Sequence, residues 1–90
     1  MRGQWRALHT QYRTARGNLV RYDPRTHCVQ ITLPQYHADA SYEIPLARIT
    51  TASDFCDWAD HLLEKAWIDA ELMGAIIISI DDAIGLRGLQ

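Results

Sequence analysis

The side chains of this sequence best able to hold a metal are four histidines and two cysteines: His9, His27, His37, His61, Cys28 and Cys56. Structural zinc needs donors at short, fixed separations, because two of them must reach one ion from one turn or one helix face. The sequence has no C-x-x-C and no H-x-x-x-H. Asp57 and His61 are four apart and would share a helix face, but the ordinary role of such a pair is a solvated side-chain contact. No metal site is expected.

Nucleophilic and acid–base chemistry fare no better. His27 and Cys28 are neighbours, yet adjacent residues of a strand point to opposite faces. Cys56 lies beside acids, which disfavour a thiolate. Both cysteines read as core or half-buried residues. Asp81 and Asp82 project about 100° apart on a helix and read as the solvated end of an apolar segment, not as a working carboxylate pair. Glycines 3, 17, 74, 85 and 88 are scattered, so no phosphate-cradling loop is present. These absences point to a protein that is not an enzyme and uses no cofactor.

Two charge patterns remain. Arg2, Arg6, Arg13, Arg16, Arg21 and Arg25 are interleaved with Trp5, Tyr12 and Tyr22. Arginine pairs with phosphate and aromatic rings stack on bases, so this region is a candidate nucleic-acid surface. Its competing role is internal pairing with acids of the same chain. The second pattern is acidic. Asp54, Asp57, Asp60 and Glu64 form a stripe that could dock on a basic protein, or stand as a solvated face. Residues 1–48 hold seven arginines against three acids, a net of +4. Residues 49–90 hold two bases against eight acids, a net of −6.

The elements that must position these groups follow from periodicity. Residues 1–17 leave helix and strand both open, and Gly17-Asn18 is turn chemistry. Residues 19–22 read as a short strand, closed by the turn Asp23-Pro24-Arg25-Thr26. Val29, Ile31 and Leu33 alternate with Cys28, Gln30 and Thr32, giving a half-buried strand over 28–33. Tyr42, Ile44 and Leu46 give a third strand over 41–47, and Pro45 places it at an edge. The period then changes. Thr51 and Asp54 fit a capping box, and Phe55, Trp58, Ala59, Leu62, Leu63 and Ala66 form one stripe of a helix over 53–66. Trp67 falls where that stripe runs out. Asp69 caps a second helix over 70–84, ended by Gly85. The run Ile76-Ile77-Ile78 also suits a buried strand, but the cap and the continued three-four spacing favour helix.

The predicted fold is therefore α+β: a small antiparallel sheet of about three strands packed against two C-terminal helices. Its predicted core joins Val29, Ile31, Leu33, Trp58, Leu62, Ile76, Ile77 and Ile80. Ninety residues, 48% of them hydrophobic, suit a single domain over 1–90. The first ten residues lack the apolar centre of a secretory signal. The longest apolar-rich run, Leu72 to Ile80, has nine residues, where a membrane span needs about 20. A cytoplasmic protein with reduced thiols and no membrane partner is expected. Ile76, Ile77, Ile78 and Ile80 cannot all face one sheet, so surplus apolar surface and a homodimer are expected as well.

The segment Ile44-Pro45-Leu46-Ala47-Arg48-Ile49-Thr50-Thr51, followed by Trp58-Ala59-Asp60-His61-Leu62-Leu63-Glu64-Lys65-Ala66-Trp67-Ile68, resembles small uncharacterised proteins of proteobacterial phages, plasmids and integrative elements. The shared pattern is W-x-x-H-L-x-E-K-x-W, and the resemblance spans about residues 42–73. It implies a mobile-genetic-element origin and no particular activity. Mobile elements encode small inhibitors of host defence, including anti-CRISPR proteins. The functional expectation is thus a non-catalytic protein-binding module that inhibits a host defence complex, with Asp54, Asp57, Asp60 and Glu64 as the partner-binding residues. The alternative is a nucleic-acid-binding accessory protein using Arg6, Arg13, Arg16, Arg21 and Arg25.

Overall fold

A computed structural model describes residues 11–37 and 40–90. Arg2, Trp5, Arg6 and His9, singled out in the sequence, lie outside the described residues. Four strands form an antiparallel meander: β1 (Gln11–Arg13), β2 (Leu19–Asp23), β3 (Cys28–Thr32) and β4 (Ser41–Pro45). A 3-10 turn at Leu46–Arg48 leads to helix α1 (Ala52–Leu63), then to helix α2 (Ala70–Ile84) and a second 3-10 turn at Leu86–Gly88. The class is α+β, with four strands where the periodicity predicts about three.

The additional strand is β1. Its described residues are a strand through their pairing with β2, which no local pattern announces. The β1–β2 turn is built by Thr14. Its backbone N–H donates to Asn18 O at 2.9 Å, and its hydroxyl accepts the Asn18 N–H at 3.2 Å. Gly17 sits at φ 89°, a conformation costly for any residue with a Cβ. The β2–β3 turn is held by the Asp23 carboxylate, which accepts the Arg25 N–H at 3.0 Å.

The register places Tyr12, Val20, Ile31 and Tyr42 in one cross-strand row, and Tyr22, Val29 and Ile44 in the next. These rows form the inner face. Both helices cover it: α2 lies over β2 and β3, while α1 meets β4 through Trp58 and Tyr42. The outer face carries Gln11, Arg21, Gln30 and Glu43 in one row, with Arg13, Leu19, Thr32 and Ser41 in the next. Pro45 lies on the edge strand, as its missing N–H requires. Beyond it the chain does not extend to residue 47. Leu46, Ala47 and Arg48 coil into the 3-10 turn, which still delivers Leu46 and Ile49 to the core.

Leu72, Ala75, Ile76, Ser79 and Ile80 are the buried stripe of α2, at the three-four spacing of a helix packed on one side. Two residues depart from the predicted core. Ile77 lies about 100° round the helix from Ile76 and is 37% exposed. Ile78 is also exposed, so the surplus apolar surface predicted for this helix is present. Trp58 is only half buried, packed on the core margin against Tyr42. Val29, Ile31, Leu33, Leu62, Ile76 and Ile80 are buried together as predicted, joined by Val20, Ile44, Leu46, Ile49 and Leu72. Helix α1 stops at Leu63, short of residue 66. The next amides turn back, Lys65 N–H to Leu62 O and Ile68 N–H to Lys65 O. That reversal brings the Trp67 ring to 5.5 Å from the Tyr42 ring, where a continued helix would carry it to the polar side.

Among the described residues no helix is long and apolar enough to cross a membrane. Leu62 and Leu63 test the orientation of α1, because they are adjacent but lie 1% and 61% exposed. Leu62→Ala is expected to cost about 2–5 kcal/mol in denaturant unfolding, the transfer and cavity penalty of a core leucine. Leu63→Ala should stay within about 0.5 kcal/mol. Equal costs at the two positions would mean that α1 is rotated from the orientation described.

Candidate functional site

The outward face of α1 presents the acidic stripe, and its first turn explains why the stripe divides. Thr51 is the N-cap: its hydroxyl accepts the Asp54 N–H at 3.1 Å. The Asp54 carboxylate reaches back to the Thr51 N–H at 3.1 Å, the Thr50 N–H at 3.0 Å and the Thr50 hydroxyl at 2.9 Å. These bonds, the Thr50 backbone first, hold its carboxyl below the usual carboxylate range. Asp54 thus closes the capping box foreseen from the sequence. It is a structural acid with three donors already in place, and the least available of the four predicted partner-binding residues.

Asp57, Asp60 and Glu64 are different. All three are exposed, and none has an ion-pair partner among the described residues. At i, i+3 and i+7 they line one side of the helix. Asp57 shares a shallow open cavity of about 170 Å³ with Trp58 and His61. The Trp58 and His61 rings meet edge to face, with centroids 6.1 Å apart. Behind them lie Tyr42 and Trp67, and the Lys65 ammonium sits 5.5 Å from the Tyr42 ring centroid. Burial pushes the Tyr42 hydroxyl pKa up. The aromatic wall beside the acids was not anticipated. Trp58 reads from its spacing as core alone, and only the contact with β4 shows it to be half exposed.

Asp81 and Asp82 do not join the stripe, nor do they simply solvate a helix end. Asp81 accepts the Leu86 N–H at 2.8 Å and thereby fixes the turn after α2. Asp82 accepts the Tyr12 hydroxyl at 3.3 Å.

The arginines are dispersed. Arg16, in the β1–β2 turn, reaches Asp69 at 3.3 Å. Arg25, in the β2–β3 turn, lies 3.6 Å from Asp23, and Arg21 lies 3.9 Å from the same carboxylate. The two turns are at opposite ends of β2, whose five residues span roughly 17 Å. Among the described residues Arg13 and Arg21 share the outer sheet face, where Glu43 is also present, and Arg21 and Arg25 flank one carboxylate. Arg13 has no ion-pair partner among the described residues, and Arg6 lies outside them.

Cysteine and histidine are equally scattered. Cys28 is half buried and its thiol donates to Thr26 O at 3.4 Å, whereas Cys56 is exposed on α1, contrary to the buried position read from its type. His27 occupies the left-handed region at φ 54°, and its Nδ1 hydrogen-bonds the Tyr22 hydroxyl at 2.9 Å. No three metal-binding side chains converge among the described residues.

The caps make stability depend on acid. The Leu72 N–H and then Arg16 lower the Asp69 carboxyl, and the Arg25 N–H and its charge lower that of Asp23, as Thr50 does for Asp54. A carboxyl lowered on folding contributes stability above its unfolded pKa and loses it as pH falls through the folded one. The melting temperature should therefore drop on acidification over roughly pH 5 to 2. Asp54→Asn should flatten that drop in thermal melts across the range. An identical acid limb in the variant would contradict the capping role of the charge.

No protein-family model matches this chain, and no similar protein was found among curated proteins or solved structures.

Proposed function

We propose that this chain is a non-catalytic protein-binding module that docks on a basic partner through the outward face of α1. The observation that supports the reading is an imbalance in how its charges are used. Arg16, Arg21 and Arg25 face acids of their own chain. Asp57, Asp60 and Glu64 take part in no ion pair among the described residues. Exposed like charges on one rigid helix attract an oppositely charged surface and orient its approach.

The resemblance of residues 42–73 to mobile-element proteins supplies the biological half of the proposal. The partner would be a host defence complex, as for an anti-CRISPR inhibitor. A complex that handles nucleic acid presents a basic groove for phosphate, and a carboxylate-bearing helix is a competitor for such a groove. The second reading, a nucleic-acid accessory protein, is favoured by one observation: Arg13, on the outer sheet face beside Arg21, has no ion-pair partner among the described residues. Self-association through the exposed Ile77 and Ile78 belongs to the same proposal and would be read by concentration-dependent sedimentation.

The test is kinetic. The wild-type protein is used to capture a partner from a bacterial host extract, and the identified partner is then measured against wild type and Asp57→Lys/Asp60→Lys/Glu64→Lys. Association should slow by about tenfold or more in the variant, with a smaller change in dissociation, since charges of this kind act mainly on encounter. Unchanged association would overturn the assignment of this face.

A further inference from the structure

We infer that the cavity bounded by Asp57, Trp58 and His61 is a receptor for one arginine side chain of a protein partner. The inference rests on the docking face proposed above and names the chemistry that face would recognise. Size comes first. At about 170 Å³ the cavity is smaller than the pockets of roughly 300–1,000 Å³ that hold drug-sized ligands and cofactors. It suits a single side chain. Its described lining is equally restrictive: residues i, i+1 and i+4 of one helix bring Asp57, Trp58 and His61 to one opening, whose wall is almost wholly apolar.

The chemistry then selects among side chains. A phosphate or an acidic residue would meet Asp57, with Asp60 and Glu64 on the same helix face. A purely apolar side chain would cover the apolar wall but gain nothing from the exposed carboxylates of Asp57, Asp60 and Glu64, which water already solvates. A cationic side chain lays its apolar stem on the wall and sets its charge beside those acids. Between the two common cations the walls favour arginine. Its planar guanidinium stacks on an indole and offers a fork of donors to a carboxylate, while the lysine ammonium is a more strongly hydrated point charge. Lys65 shows that cations already sit against aromatic rings in this region, with its ammonium over Tyr42. Trp58 itself packs on Tyr42 at a centroid distance of 6.5 Å, so the stacking wall is held from behind by β4. Such a fixed wall needs little reordering when a side chain arrives.

The test uses blocked tripeptides, acetyl-Gly-Arg-Gly-amide and its lysine counterpart, titrated into the whole protein while the indole N–H signals of Trp5, Trp58 and Trp67 are followed by NMR. The arginine peptide should move the Trp58 signal saturably in the millimolar range. The lysine peptide should bind several-fold more weakly. Asp57→Asn removes the charge at an exposed position and should weaken the arginine peptide by about tenfold, the scale of one charge-assisted hydrogen bond. No saturable shift at Trp58, or an equal response to both peptides, would overturn the assignment, as would unchanged binding in Asp57→Asn. The two readings separate cleanly. A partner whose association depends on Asp60 and Glu64 but not on Asp57 leaves the docking face standing and removes the arginine receptor. A peptide bound at Trp58, with a partner indifferent to all three acids, does the reverse.

Discussion

The burial of one face of α2 against β2 and β3 is the constraint from which the rest of the molecule follows. Leu72, Ile76 and Ile80 are almost fully removed from water against Val20, Val29 and Ile31. Each such side chain contributes roughly 1.5–3 kcal/mol relative to an exposed position. A helix seated this way must have its termini satisfied where it lies. At its start, Asp69 caps Leu72 and pairs with Arg16, while Glu71 accepts the Ala15 N–H at 3.0 Å. Near its end, Asp82 accepts the Tyr12 hydroxyl. β1 and its turn are thereby strapped along α2.

The same seating decides the fate of the charges. A chain with a basic first half and an acidic second half can fold so that the halves meet, and at the start of α2 they do, through Arg16 and Asp69, while Arg21 and Arg25 share Asp23 of their own half. Exposed ion pairs of this kind add little stability. Their consequence is that arginines placed on Asp69 and Asp23 are less available to phosphate. Helix α1 lies over the β4 side of the sheet, and Asp57, Asp60 and Glu64 form no ion pair with those arginines. Its stripe of Asp57, Asp60 and Glu64 is left facing outward, on a scaffold fixed by the Thr51–Asp54 capping box and by the contacts of Trp58 and Trp67 with Tyr42.

Local rules made much of this legible. Val29, Ile31 and Leu33 revealed a strand because period two needs only neighbours. Thr51 with Asp54, and Asp69 with Gly85, marked helix ends because capping is set within a few residues. Three features were not legible, each for a long-range reason. β1 exists through its partners. Ile77 is exposed because the sheet accepts only one face of α2, which a run of isoleucines does not specify. Trp58 is half exposed because α1 sits at the β4 edge and not over the sheet centre. At the candidate site the acidic stripe was visible as spacing. Asp54 was counted in it although its own capping pattern already assigned it to Thr51. The cavity wall of Trp58 and His61 was hidden, because an indole on an apolar stripe reads as core.

If the docking face is α1, the arginines of the first half do not serve as a phosphate-binding surface. The most direct measurement is binding of the whole protein to a random DNA duplex and to a single strand, across a range of low salt concentrations. Displacement of counterions from phosphate would make any such binding fall steeply with salt, at a slope of about −0.9 per neutralised phosphate of a duplex. The account predicts weak binding at the lowest salt, with no change on Arg13→Ala or Arg21→Ala. Tight binding with a steep salt slope, reduced by about one unit in either arginine variant, would contradict it and place the function on the outer face of the sheet.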